Sequence, residues 1–478
     1  MSTTPATPTT PAVATRRALL IAAVLIASIE LTGIFLDPAP LFFMGDSRAY
    51  VMTAVSGHLP PNRSFVYGWL IRWLALWPGT LTGLVLAQTA AAGATAWLLA
   101  VALLDYFEVR PVVAITAAIL LALDPLQILH ERMVLTEAFT LLLWSTQLLL
   151  GLRYLRCPAM TPLVAAAIVG VAVVSLRIAY VPVVVVSVLL LPVLAWHERS
   201  RSRGGMSGFT WYLTHLAVAG VAIAALHAGY RHLVGDLFGS PPAYQYEDGF
   251  FLASAWAPLV HPSDADDPRL ALVVERQRMD AEIPLQALDL RWRQRWDQAG
   301  LVARVREAFA GNAYVANGAM KRMCLRIIRR DPVGIAHLTL ATYAEYWQRP
   351  DALRQELLTE QGSVLPLPPS FVAELQRWFG VDFSRSHATM TLSKRYHLAG
   401  GPWYMILVVS PILGVLSVWC SPRKNRPGAA SLCIASGLLL AVTCAGAVQS
   451  SYRFLHPLSF TALISLGVIF QSMTRERR

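Results

Sequence analysis

The chain has 478 residues, of which 55% are hydrophobic and only 14% charged, whereas a soluble globular protein is about a quarter charged. With a mean hydropathy of +0.49 and its apolar residues gathered into long runs, it reads as an all-α polytopic membrane protein, not a soluble domain. The formal charge of +11 does not indicate nucleic-acid binding. Between Arg231 and Arg395 there are 20 basic and 19 acidic residues, so the excess sits in short loops between apolar runs, where positive charge sets membrane orientation.

Residues 1–15, rich in Thr, Pro and Ala, lack the apolar content to build a core and read as a disordered tail. Arg16-Arg17 then precede an apolar run with no small-residue cleavage site after it, which indicates an uncleaved first helix. Apolar runs predict ten helices at roughly 18–36, 80–103, 111–129, 133–151, 162–177, 179–196, 211–230, 402–420, 428–448 and 453–472. Arg16-Arg17, Arg110, Arg153, Arg156, Arg199 to Arg203, Arg423 to Arg426 and Arg475 to Arg478 then all fall on one side. An inside N-terminus satisfies the positive-inside rule at every loop. The domains expected are the tail, an N-terminal membrane module over 16–230 with its first outer loop at 37–79, an outer domain over 231–401, and C-terminal membrane helices over 402–478.

In the first outer loop, Trp69, Trp73 and Trp77 repeat every four residues, as in a helix lying in the membrane interface. The 231–401 block is polar, helical over about 268–358, with a loop marked by Pro366, Pro368 and Pro369. Of the five cysteines only Cys324 lies in that block, which therefore has no internal disulfide. Lys321, Lys394 and Lys424 are the only lysines; the arginine bias and the Ala/Leu richness point to a GC-rich bacterial genome.

Four polar groups converge on the outer face: Asp46-Ser47-Arg48 with Tyr50 and Arg63; Asp124-Pro125, His130-Glu131-Arg132 and Thr136-Glu137; Arg177 with Tyr180; and Ser451-Tyr452-Arg453 with His456-Pro457. Charged groups at membrane depth are costly without a partner or a function. Arginines bind phosphate through a planar fork, and an unpaired carboxylate is a general base. The simpler alternatives are that Arg177 and Arg453 snorkel from helix ends, that Glu131 and Arg132 pair with each other, and that Glu30, inside the first helix, meets a buried arginine. No HxH or HExxH spacing supports a histidine metal site, and no P-loop, GxSxG or GxGxxG stands in a suitable context. A divalent cation held by Asp46 and a phosphate is the one metal arrangement these residues suggest.

These residues resemble the motifs of the GT-C superfamily of integral-membrane glycosyltransferases, which includes protein O-mannosyltransferases, aminoarabinose transferases and arabinofuranosyltransferases. Asp46 and Tyr50 match the acidic residue and tyrosine after the first helix, Pro125 and Thr136-Glu137 match the third and fourth helices, and Leu176-Arg177 matches a Leu-Arg-Pro motif with Ile178 replacing the proline. Tyr452-Arg453 and Pro457 match the opening of the last helix in altered order, and Gly45-Asp46 stands where many members carry two acidic residues. The resemblance spans roughly 17–200 and 400–472; the block between matches no named domain.

The resemblance implies inverting transfer of a sugar from a polyprenyl-phosphate donor to a periplasmic protein, glycan or lipid acceptor. Asp46 is expected to be the general base or a metal ligand, with Glu137 the second catalytic residue. Arg177, Arg453, Arg63 and Arg132 would bind the donor phosphate, and Tyr50, Arg48, Tyr452 and His456 would orient the substrates. Two other classes compete. A lipid-carrier transporter would spread polar residues through the membrane depth and show repeat symmetry, and an O-antigen polymerase or ligase would rely on the large outer loop and not on Asp46. A non-enzymatic scaffold would be indifferent to Asp46.

Overall fold

The computed structural model describes residues 10–43, 45–200, 206–280, 282–359, 367–383 and 389–475. Its helices are α1 (Thr10–Leu36), α2 (Ser47–Ser56), α3 (Phe65–Ile71), α4 (Thr82–Val101), α5 (Pro111–Ala122), α6 (Pro125–Arg132), α7 (Glu137–Arg156), α8 (Met160–Leu176), α9 (Val181–Ser200) and α10 (Met206–Phe238). A second set follows: α11 (Asp248–Ala255), α12 (Pro268–Arg278), α13 (Arg291–Trp296), α14 (Leu301–Ala308), α15 (Ala313–Arg330), α16 (Pro332–Gln348), α17 (Pro350–Thr359), α18 (Pro369–Phe379) and α19 (Leu392–Ala399). The chain closes with α20 (Gly401–Cys420), α21 (Arg426–Gly446), α22 (Tyr452–Leu455) and α23 (Leu458–Arg475). There is no strand among the described residues, only an isolated bridge between Leu41 and Met133.

Among the described residues, seven helices are long and apolar enough to cross a membrane. They correspond to seven of the ten expected spans. The third expected helix is broken into α5 and α6, which meet at 46°. Pro125 cannot continue the helix, and Asp124 restarts it by accepting the Leu126 amide at 2.8 Å. Pro457 separates α22 from the shorter apolar α23 in the same way, and α8, with 17 residues, is likewise short. Of the tail expected to be disordered over 1–15, residues 10–15 are helical: α1 begins at Thr10 because Pro11 suits the first helical turn, while residues 1–9 and Pro366 lie outside the described residues.

Both ends of the helical layer carry charged groups. At one end Arg156 pairs with Glu108 at 3.2 Å and Lys424 with the same carboxylate at 2.6 Å. A cavity of about 580 Å³ there brings Thr15 beside Asp105, Arg153 and Arg156. These are the segments assigned to the inside. The segments assigned to the outside meet at the other end, described below.

The tryptophan segment is α3 continued by a π-helical turn, Arg72–Leu76. It buries Phe65, Tyr67, Gly68, Ile71 and Ala75 and leaves Trp73 and Trp77 60% and 70% exposed. α3 packs against α2 so closely that a Cβ on Gly68 would lie 2.4 Å from Thr53 Cβ. Gly68→Ala should therefore lower stability by about 1–3 kcal/mol through overpacking, read as a fall in the thermal midpoint in detergent. An unchanged midpoint would contradict the α2–α3 contact.

The 231–401 block contains two packing units. Residues 250–338 hold their own apolar core, built on Phe250, Leu270, Val274, Met320 and Ile327. The later part joins the membrane core, where Phe42 meets Phe371 and Phe383 with ring centroids 5.5 and 5.6 Å apart. The first unit docks on the end of α21: Trp256 donates to the Ala445 carbonyl at 2.7 Å and Arg291 to that of Ala447 at 3.2 Å.

Candidate active site

The loop after α1 is fastened to the turn before α7. Leu41 bonds to the backbone on either side of Met133: its amide donates to the Arg132 carbonyl at 2.6 Å, and its carbonyl accepts the Val134 amide at 2.8 Å. Ser47 completes the join, donating to the Val134 carbonyl at 2.9 Å and accepting the Phe43 amide at 2.7 Å. This fixes the start of α2 beside the start of α7, and so Asp46 beside Glu137.

Asp46 stands at the N-cap of α2 but makes no capping bond. Its carboxylate faces two arginines instead: Arg63 Nε donates to Oδ1, and Arg453 Nη2 lies 2.7 Å from Oδ2. Arg453 also donates through Nε to Glu137 Oε1, which Arg177 Nη1 meets at 3.1 Å. The result is an alternating chain, Arg63–Asp46–Arg453–Glu137–Arg177, assembled from four separate segments. Glu137 is 1% exposed and Asp46 and Arg453 each 6%. Arg453 lies over the Phe43 ring at 4.6 Å and Arg177 over Phe454 at 5.6 Å. Three guanidiniums against two carboxylates leave one positive charge in excess, in a setting where water does little to screen it.

Burial alone would raise the Asp46 carboxyl, but Arg63 and Arg453 outweigh it and hold the group below the usual carboxylate range. Tyr50 is raised by burial and by Asp46, so its phenol is neutral. Its ring packs edge-on to Tyr67 at 4.9 Å. Tyr67 in turn donates to Gln88 at 2.5 Å, and Gln88 donates to the carbonyls of Glu131 and Met133 at 2.8 and 2.9 Å. Tyr67 and Gln88 are supporting residues absent from the sequence-based set. A lone glutamine in the apolar α4 was the available signal, since amides at membrane depth need partners.

The other expected site residues lie elsewhere. Arg132 is not in the chain. It is 1% exposed, donates to the Asp37 carbonyl at 2.6 Å and to Thr89 at 2.9 Å, and pairs with Glu131 at 3.4 Å, close to Glu30. Its position at the end of α6 turns it into the helical layer, which makes it a structural clamp; Glu30 hydrogen-bonds with Glu131 and not, as expected, directly with an arginine. Arg48 points outward to Glu374 at 3.1 Å because it lies two residues on from Asp46 along α2. Tyr452 packs between Tyr346 and Tyr404. His456 lies behind Glu137, bonded to Gln127 at 2.7 Å, with its ring 4.7 Å from that of His130.

The residues do not fit a protein-held divalent cation. Both Asp46 oxygens face arginines, and among the described residues there is no group of three or more His, Cys, Asp or Glu side chains able to hold a metal ion. The arrangement can accept an anion of substrate size in exchange for a carboxylate, and can move a proton at Asp46. No family model matches the chain, and neither a curated protein nor a solved structure matches it.

Proposed function

We propose that this protein transfers a sugar from a polyprenyl-phosphate donor to an acceptor hydroxyl at the periplasmic face of a bacterial inner membrane, as a GT-C-type glycosyltransferase. The observation that carries this reading is the chain of three arginines and two carboxylates at one end of the helical layer, with Asp46, Glu137 and Arg453 buried at its centre. A positive excess at that depth favours a phosphate that arrives within the membrane.

In this mechanism the donor phosphate takes Arg453, Arg177 and Arg63 as its partners. Asp46, released from those guanidiniums, accepts the proton of the acceptor hydroxyl. The hydroxyl oxygen bonds to the anomeric carbon as the bond from that carbon to the phosphate oxygen breaks. The departing lipid phosphate keeps the electron pair and is stabilised by the arginines. One displacement inverts the anomeric centre. Glu137 holds Arg453 and Arg177 in position, and Tyr50 closes the wall beside Asp46.

The test incubates the purified protein with radiolabelled polyprenyl-phosphate sugars, with and without a membrane extract as acceptor source. Donor-dependent sugar transfer is expected; a folded protein that consumes and binds none of the panel overturns the reading. Orientation is tested by single cysteines placed in 231–401 of a thiol-free background. An impermeant maleimide should label them in intact spheroplasts, and labelling only after lysis would reverse the topology.

A further inference from the structure

A second arginine pair lies just outside the chain described above. A cleft of about 310 Å³ opens between α13, α14 and the first outer loop, lined among others by Asn62, Glu247, Arg295, Trp296 and Arg306. Glu247 accepts from Arg306 Nη2 at 2.7 Å and from Arg295 Nη2. Two guanidiniums thus share one carboxylate. Arg295 is 4% exposed, both arginines line the cleft, and their Nε groups are buried without a hydrogen-bond partner, so two guanidiniums are left with more donors than Glu247 meets. Trp296 is 50% exposed and stands beside Arg295, whose guanidinium is 4.2 Å from the ring centroid.

We propose that this cleft is the acceptor subsite and that it takes a saccharide unit bearing a carboxylate or phosphate group. The assignment rests on the transfer reading above. The anionic substituent sits on Arg295 and Arg306, in the manner of a guanidinium fork, and the sugar ring lies on the exposed indole. The volume is at the small end of ligand pockets, suited to a ring-sized group. A neutral sugar leaves the positive excess of the two guanidiniums over Glu247 unmet, and a simple anion leaves the indole unused. The link to Asp46 is Arg63, which bonds Asp46, lies 5.7 Å from the Trp296 ring, and donates to the carbonyl of Asn62 in the cleft wall at 2.9 Å.

The test uses the full chain in detergent micelles and equilibrium dialysis of three radiolabelled probes: a glucuronate-containing disaccharide, glucose 6-phosphate, and maltose. At least one acidic probe should bind tenfold or more tightly than maltose, and the tighter of the two identifies the anion. Trp296→Ala and Arg306→Gln, both at exposed or half-exposed positions, should each weaken that binding tenfold or more. Arg322→Gln, which breaks a surface pair with Asp266 at 2.6 Å, should not. Equal binding of maltose, no binding, or binding indifferent to both cleft variants overturns the proposal. Donor turnover measured in parallel separates the two readings. Turnover without probe binding leaves the transferase and removes the subsite; probe binding without turnover leaves a saccharide site and removes the transferase.

Discussion

Asp46→Asn should reduce sugar transfer by about 10²- to 10⁴-fold, the usual contribution of a positioned general base, while donor binding is kept or tightened. The second half of this expectation is the discriminating one. Asp46 and the donor phosphate compete for the guanidiniums of Arg63 and Arg453. A carboxamide keeps the shape of the side chain but not its charge, so the arginines remain with a weaker internal partner. Turnover and equilibrium binding of the same radiolabelled donor would be compared in the two proteins. Transfer within tenfold of wild type removes Asp46 as the base. Loss of donor binding in a folded variant makes Asp46 a structural residue.

The same geometry fixes a pH dependence. Burial opposes ionisation of Asp46, but Arg63 and Arg453 prevail, so its folded pKa lies below the usual value of about 3.9. A depressed folded pKa means that the carboxylate contributes stability at pH values above the unfolded pKa and loses it as pH falls through the folded one. In kinetics, kcat/KM reports the free enzyme. Its acid limb should therefore lie below about pH 4, with no ionisation between 5 and 7 attributable to the base. A limb in that upper range, absent from Asp46→Asn, would assign the proton to another group.

How far the sequence carries can be judged residue by residue. Hydropathy places seven segments that fold into helices long and apolar enough to cross a membrane, because a span must be long and apolar whatever surrounds it; the other three expected spans are the bent pair α5 and α6 and the shorter helices α8 and α23. It does not locate the break at Asp124-Pro125 by pattern, since apolar residues continue on both sides. The grouping of Asp46, Glu137, Arg177 and Arg453 is also legible, because topology alone puts four loop ends at one depth. What the sequence does not distinguish is direction. Arg132 and Arg48 have the same composition and depth as Arg453, yet one turns into the helical layer and the other toward Glu374. Those choices depend on helix phase and on the Leu41–Val134 join, which couples residues far apart in the chain. The Arg295–Glu247–Arg306 cluster was hidden for a related reason: its members look like ordinary surface charges in a mixed-charge block until folding buries Arg295.

Glu137→Gln should lower stability by about 3–5 kcal/mol, the cost of removing one partner from a buried ion pair and leaving the other unpaired. Glu137 is 1% exposed, and its Oε1 is the meeting point of Arg453 and Arg177. Without that charge, the buried Arg453 guanidinium and the half-buried one of Arg177 repel each other with only Asp46 to offset them. The deficit should be recoverable from outside, because an anion that occupies the vacated position binds only the folded protein and stabilises it by linkage. Thermal unfolding in detergent would be followed for wild type, Glu137→Gln and Glu137→Asp, each with and without polyprenyl phosphate. The expected pattern is a large loss in Glu137→Gln, a smaller one in Glu137→Asp, and a gain from the lipid phosphate that is largest in Glu137→Gln. A Glu137→Gln protein as stable as wild type would show that the arginine chain does not depend on this carboxylate. A lipid phosphate that stabilises none of the three would remove the phosphate from the site, since the same excess of positive charge that makes Glu137 indispensable is what a phosphate has to meet.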